Sequence, residues 1–592
     1  MKPAMRDDCA MTPCPVLRAV CWMLLCFGAV ALAKNPILTP SDVPLLGEMD
    51  LYLLSTLWVG DDDTNASLGS ICDRPDYRRI VQRWDLRLFG GPMLGNMTDS
   101  SVQIWLRTPY EAQVAIAFAD NPALSEPIRL PVQRTCKDSD LVAVFTLADL
   151  SPNTTYHYEV FVDKKPVFGT ELPAFRTYPP KGQQQSILVG FGGGARYIHE
   201  HEHVWDAIDR HRLNAFLFLG DNVYHDEPYL RRRQRVHLYR RQLRPELRRL
   251  VSSTPIYAIW DDHDFCGDDC GGGPDPVVTG YRERRWKVPT WRVFRQNWVN
   301  PSYGGGDGVY GVWFDFSIGA VDFFMLDCRY YRDVVAASAF GPGESMLGAA
   351  QKRWLKQRLR ASRAVFKVIV SSVPWAYDAH PGGFDHWNGF REEREELFTF
   401  IEANGINGVI LLSGDSHRHD VWKIDRITGY DFYEFESSRL TNEHSDGCVD
   451  DSECLRCHQG RGFGLLRFDF RKKMPTVTYE VRSDRDVRQL SFAVTRDELG
   501  AMDTPEQRAG VRGQPAPNAI PGAKKAVAVA FANIRGQIVA VIQHSPACLG
   551  EGTVRSRFRR GFAPGVYVPY NEIERHSDYA PAPGLRVINS VR

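Results

Sequence analysis

From Ser101 onward, apolar and polar residues alternate in short runs: SVQIWLRT, AQVAIAFA, LVAVFTL, TYHYEVFV and PAFRT. Alternation puts one face of each strand inward, and runs this short and close predict a small antiparallel β-sandwich over 97–178. Pro179 to Gln185 (PPKGQQQ) reads as the linker that ends it. A different rhythm follows. Continuous apolar runs at Ile187–Phe191, Ala215–Leu219, Ile256–Trp260, Phe323–Leu326, Lys367–Ser371 and Gly408–Leu412 alternate with helical patterns. That predicts buried strands in a layered α/β domain over 186–495, with ligand chemistry at the carboxyl ends of its strands. Residues 34–96, broken by Pro, Gly and Asp clusters, read as irregular with one helix near Tyr77–Leu88, and 496–592 stay unassigned. Leu238, Leu243, Leu247 and Leu250 recur through an Arg-rich stretch and predict an amphipathic helix with a solvated basic face, open to anionic substrates.

Composition narrows the class. The chain has 592 residues, 43% hydrophobic and 24% charged, which is globular and excludes disordered or collagen-like chains. Its 72 Lys+Arg balance 72 Asp+Glu, so no basic excess points to nucleic acid. Arg18 precedes an apolar stretch, Ala19–Leu32, that ends in Ala31-Leu32-Ala33. We read 1–33 as a cleaved signal peptide, with a retained anchor as the alternative. The expected location is secreted, periplasmic or extracellular, without stable membrane association after cleavage. Four of the 13 Cys fall in that leader, and an oxidising destination favours disulfides among the other nine.

The chemistry gathers in polar clusters behind strands: Gly220-Asp221-Asn222-Val223-Tyr224, Trp260-Asp261-Asp262-His263-Asp264, Ser413-Gly414-Asp415-Ser416-His417, and also Asp385-His386-Trp387-Asn388. Carboxylates crowded at one sheet edge repel unless cations compensate, so divalent metals are the simplest explanation.

These clusters, with LDCRYYR (326–332), MLGAAQKRWL (346–355) and DHWNGF (385–390), are similar in order and spacing to alkaline phosphatase D, the PhoD-like branch of the metallophosphoesterases. LSPNTTYHYEV resembles a fibronectin type III segment, in which a Tyr locks a corner, and a domain of that kind fits the family's architecture. The resemblance implies a four-layer α/β/β/α sandwich around a metal cluster. It implies Asp221, Tyr224, Asp262, Asp415 and His417 as metal ligands, Asp268 as a further ligand, and His263 as the phosphate-contacting histidine. Gly194 stands where iron-binding relatives carry Cys. Calcium therefore fits better than Fe3+, with Mg2+ or Mn2+ as other hard ions.

The implied activity is hydrolysis of a small phosphomonoester by a metal-activated water. The alternatives are a phosphodiesterase or phospholipase-D-like hydrolase, and a non-catalytic extracellular binding protein with a decayed metal site. Arg196 is a candidate phosphate clamp, and Gly192-Gly193-Gly194 is either an anion-binding nest or a plain turn. His199-Glu200-His201-Glu202-His203 reads as a solvated loop rather than a metal site. Cys454-Leu455-Arg456-Cys457-His458 has the spacing of a haem attachment motif, but its polar neighbours favour a disulfide, as do Cys266 and Cys270. Oligomeric state is not legible.

Overall fold

The computed structural model describes residues 41–500 except 42, 60–62, 274–283, 307, 334–344 and 381–382, together with the backbone of four short strands between 527 and 588. The leader and most of the tail lie outside the described residues. Among the described residues, no helix is long and apolar enough to cross a membrane.

The N-terminal region is more ordered than its composition suggests. Helices Pro44–Leu53, Leu68–Ile71 and Pro75–Arg83 precede the first strand, and Leu53, Leu57, Ile71 and Tyr77 share a buried cluster with Val236 and Tyr239. The expected helix near Tyr77–Leu88 starts earlier, at Pro75, whose fixed φ and missing N–H suit a first turn.

Nine strands follow. They are β1 (Gly90–Gly95), β2 (Val102–Arg107), β3 (Gln113–Ala119), β4 (Ile128–Arg129), β5 (Gln133–Arg134), β6 (Val142–Leu147), β7 (Thr155–Val162), β8 (Lys165–Pro166) and β9 (Ala174–Arg176). They form two antiparallel sheets, one ordered β1-β2-β6 and one built on β3 and β7. β1 pairs with β2, so the first sheet begins inside the stretch read as irregular. Its two glycines and proline, GGPMLG, hid the strand from a pattern search. Tyr156 locks the corner: its hydroxyl accepts from the Ser151 N–H at 2.9 Å.

The larger part holds two mixed sheets. The first contains β10 (Ile187–Gly192), β11 (Ala215–Leu219) and β12 (Ile256–Ile259), in parallel, extended by β20 (Gly462–Asp469), β21 (Thr476–Ser483) and β22 (Arg488–Thr495). The second runs β13-β14-β15-β16-β18-β17-β19, from β13 (Phe314–Ile318), β14 (Val321–Met325), β15 (Phe366–Val370), β16 (Val409–Ser413), β17 (His419–Ile424), β18 (Phe432–Ser437) and β19 (Cys454–His458). The sheets face each other through stacked rings, Tyr257 on Phe316 at 3.7 Å and Phe435 on Tyr479 at 4.9 Å. Period-two alternation then sorts the second sheet's side chains. Phe323, Val368 and Leu412 enter the shared core, while Phe324, Ile369 and Leu411 meet Leu355, Leu359, Leu397 and Phe398 of helices Gly348–Ala361 and Arg391–Ala403. On the outer side of the first sheet, Trp205 of helix Val204–Asp209 packs on Phe218. A parallel bridge between Gly193 and Ser438 joins the carboxyl ends of β10 and β18, and so joins the two sheets where their strand ends meet.

The Arg-rich stretch departs from expectation. It forms two helices, Arg231–Gln242 and Pro245–Ser253, and Arg232, Arg240, Arg241 and Arg244 turn inward while Arg249 stays exposed. Arg240 pairs with Asp50 at 3.0 Å, Arg241 with Glu202 at 2.8 Å, and Arg232 donates to the carbonyls of Leu57 and Trp58. Arg232 and Arg240 hold the N-terminal helical region in place, Arg241 holds the segment around Glu202 and Asn222, and none of the three is available to substrate.

Residues Val527–Ala532, Ile538–His544, Tyr567–Pro569 and Arg586–Ile588 form a separate four-stranded sheet.

Candidate metal centre

Three of the four polar clusters sit at the carboxyl ends of strands β11, β12 and β16, and the fourth, Asp385 to Asn388, leads into a short 3-10 helix at Trp387–Phe390. After β11, Gly220 takes φ 109° and Asp221 φ 53°, and a Cβ at 220 would lie 2.5 Å from the Cβ of Asp261. Only glycine permits this turn, and the turn swings the Asp221 carboxylate toward the loop after β12. There, Asp261 to Asp264 open a short helix. Asp264 points backward: its carboxylate accepts from the N–H groups of Asn222, Val223 and Asp261 at 3.0–3.1 Å, tying the two loops together. After β16, Asp415 and His417 also adopt positive φ, 78° and 50°.

The result is a convergence of acids from distant parts of the chain. Donor atoms of Asp221, Asp262 and His263 lie within 4.8 Å of one another, as do those of Asp261, Asp262 and Asp415, and those of Asp262, Asp269 and Asp385. Asp262 belongs to all three groups. Asp221 and Asp262 are almost fully buried, and Asp221 Oδ1 has no hydrogen-bond donor. Burial drives the Asp221 carboxyl well above the usual carboxylate range, and Asp262 beside it adds to the rise. Asp415 is raised likewise, by burial and then by Asp261 and Asp385. Asp262 moves down, because Arg329 and His263 outweigh its burial. Acids that resist ionisation only because they are crowded and dry fit divalent cations held by oxygen ligands.

Tyr224, His263 and His417 line the same centre. The Tyr224 hydroxyl donates to Asp221 Oδ2 at 2.7 Å, lies 3.1 Å from His417 Nε2 and accepts from Asn442 Nδ2 at 2.9 Å. His263 stacks on Tyr224 at 4.1 Å, with Nδ1 2.5 Å from Asp226 Oδ1. Burial opposes protonation of His263, but Asp221, Asp226 and Asp262 prevail and push it up to about 10. The Arg196 guanidinium lies 5.8 Å from the Tyr224 ring centroid, and its buried Nε has no acceptor.

Asp268, with its side chain 92% exposed, reaches only His263, its Oδ1 3.8 Å from Nε2, and the metal-type group takes in its neighbour Asp269, whose N–H donates to Asp262 Oδ2 at 2.7 Å. The Cys266–Cys270 disulfide closes the turn that carries both. The glycine loop is no anion nest: the Gly193 N–H donates to Ser437 O and the Ala195 N–H to Asp221 O. His201 of the HEHEH run bonds the Thr441 carbonyl, and no residue of that run joins a metal-type group among the described residues. Cys457 pairs with Cys448, which removes it from the haem motif.

Sequence reasoning missed several contributors. Arg329 binds Asp261 and holds Asp385 by two bonds of 2.7–2.8 Å. Both Arg329 and Asp385 stood inside quoted motifs, but only the fold shows that they meet. Asn442 carried no signal at all, since a lone Asn after a strand has no diagnostic spacing.

Residues 189–459 match the family described as PhoD-like phosphatase, and 85–180 match a domain of unknown function (DUF7800). Alkaline phosphatase D of Bacillus subtilis (strain 168) is 24% identical over 310 residues, covering 45% of this chain and 52% of that protein. The chain thus spans about half the length of this curated relative. A solved structure of PhoD superposes with TM-score 0.59 at 17% identity, covering 70% of this chain and 91% of that one. Purple acid phosphatase PPD1 from yellow lupin gives 0.49 at 13% identity, covering 73% and 78%. Motif order and strand-end acids agree with this likeness: residues 189–459 of this chain are similar to PhoD-like phosphatases, and the fold is similar to that of PhoD.

Proposed function

We propose that the protein is a metal-dependent phosphoric ester hydrolase that acts on small phosphomonoesters. The observation that carries the reading is the meeting of Asp221, Asp262 and Asp415 from three strand ends, with one buried Asp221 oxygen lacking any donor. Asp221, Asp262 and Asp415, with Tyr224, would hold the ions; an oxygen-rich set of this kind favours calcium, with Mg2+ or Mn2+ next. Bound ions of this type polarise a phosphoryl oxygen and acidify water.

The remaining work falls to the chain's own groups. His263, oriented by Asp226 and by its stack on Tyr224, presents an N–H to a phosphoryl oxygen or to the leaving group. Arg196, with an unsatisfied Nε over Tyr224, supplies a second cation for phosphate. Arg329 is fully enclosed by Asp261 and Asp385 and acts as a positioning residue. Asp264 fixes the two ligand loops against each other.

Two further readings accompany this one. The paired sheets and the Tyr156 corner support a fibronectin-III-like front domain over 97–178. The Cys266–Cys270 and Cys448–Cys457 disulfides support an exported protein in an oxidising compartment.

Turnover of p-nitrophenyl phosphate, with and without chelator and after re-addition of Ca, Mg, Mn or Fe, tests the proposal. Chelator-sensitive hydrolysis is expected between about pH 7 and about pH 10, and its absence with every metal refutes an enzyme. Faster turnover of bis(p-nitrophenyl) phosphate would move the assignment to diesters.

A further inference from the structure

The loop after β18 carries two metal-type side chains that the centre above leaves unused. His444 and Asp446 lie beside His417, and one donor atom of each of the three falls within 4.8 Å of the other two. His444 Nε2 is 3.0 Å from Asp446 Oδ1, and the His417 and His444 rings are 5.0 Å apart. His380 backs Asp446, its Nε2 2.9 Å from Asp446 Oδ2, at ion-pair distance without hydrogen-bond geometry. The Cys448–Cys457 disulfide closes the chain just after it. A carboxylate aimed by a histidine outside the donor set is how metal ligands are commonly oriented.

Where this loop sits matters as much as what it carries. It is stitched to the turn containing Gly194: Leu440 N–H donates to Gly193 O at 3.0 Å and Asn442 N–H to Gly194 O at 3.2 Å. A Cβ at 194 would lie 2.7 Å from Arg439 N and 3.3 Å from His417 Cδ2. The space a side chain at 194 would need is therefore filled by the loop's own backbone. The loop that excludes a thiolate there also delivers an imidazole and a carboxylate to His417.

We infer that His417, His444 and Asp446 hold a transition-metal ion of the zinc class, on the side of the centre that faces Gly194. The inference rests on the hydrolase reading only in adding an ion beside the same centre. Two imidazoles and one carboxylate are donors suited to zinc-like ions, whereas calcium takes oxygen donors almost exclusively.

The test uses the full-length protein loaded with zinc in calcium-containing buffer, dialysed, and measured by elemental analysis. A His444→Ala/Asp446→Ala double variant should lose one zinc per chain and keep its calcium. His380→Ala should weaken zinc binding by about 10- to 100-fold. Cobalt substitution should give a visible d–d absorption in the parent protein that the double variant lacks. His444 is 62% exposed, so the variant should fold, and its circular dichroism and unfolding midpoint should match the parent's. Unchanged zinc content in a folded double variant overturns the inference. Should the parent hydrolyse no phosphate ester while its zinc still depends on His444 and Asp446, the hydrolase reading falls and this one stands.

Discussion

Asp221, Asp415 and His417 all occupy the left-handed region, at φ 53°, 78° and 50°. For residues with a Cβ, such backbone costs about 1–3 kcal/mol each and persists only where the surroundings enforce it. Here the enforcement is visible: the Asp221 carbonyl accepts from the Ala195 N–H at 2.8 Å, and the His417 N–H donates to Ser438 Oγ at 2.7 Å. We predict that Asp221→Ala reduces turnover to background without lowering the stability of the metal-free protein. It removes a ligand and also a buried carboxylate that burial and Asp262 already disfavour. Steady-state kinetics and urea unfolding of the chelated protein check both halves. Gly194→Ala should act on the fold itself. With φ 65° and a Cβ 2.7 Å from Arg439 N, it should cost about 1–3 kcal/mol in urea unfolding. The motifs named most of these residues in advance, because a Gly-Asp behind an apolar strand is a local signal. The resemblance named Asp268, whereas Asp269 is the one grouped with Asp262 and Asp385, since adjacent residues on a turn face different ways.

At the scale of elements, strands were far more legible than helices. Ala215–Leu219 and Thr155–Val162 stand where the pattern put them, because a period of two or a solid apolar run is visible within a few residues. The Arg231–Gln242 helix was misread for the opposite reason. Its leucines suggested one apolar face and a solvated basic one, yet Arg232, Arg240 and Arg241 are buried. Their partners come from elsewhere in the chain; Asp50 is 190 residues away from Arg240. A buried guanidinium is tolerable only beside such a partner, and no local window contains it. Removing the carboxylate with Asp50→Ala should therefore cost about 3 kcal/mol and loosen helix Pro44–Leu53. Denaturant unfolding measures the cost, and hydrogen exchange across residues 44–53 measures the loosening. An unchanged midpoint would show that Asp50 does not stabilise the helix.

For the whole molecule, buried histidines and buried carboxyls pull the response to acid in opposite directions. His225 bonds the Asp264 carbonyl at 2.6 Å, and burial lowers it from 6.5 to about 4. His419, between Ser437 Oγ and Gly460 O, is lowered by burial and by His458 to about 3. Both are neutral in the fold and more basic when unfolded. Their stabilising contribution is complete above pH 6.5 and is lost as pH falls toward 4 and 3. Each should remove roughly 1.4 kcal/mol per pH unit within its window. Asp264 and Glu434, both raised by burial to about 7, act in the opposite sense, so the histidine share is read by difference. Relative to the parent, the urea midpoint of His225→Asn/His419→Asn should rise as pH falls from 7 to 4.5, and parallel profiles would contradict this.

What the chain determined by itself is the set of segments and the chemistry at their ends. Apolar runs make strands by local geometry, and the Gly-Asp pairs behind Leu219 and Ser413 turn the backbone so that a carboxylate leaves the sheet edge. What only the tertiary structure decided is who meets whom: Asp262 with Asp221 and Asp415, Arg329 with Asp385, and His444 and Asp446 with His417. Those meetings depend on two sheets closing over a common core so that their strand ends coincide. Sequence spacing carries no measure of that distance, because the loops between the partners vary freely in length while the packed strands fix the positions of their ends.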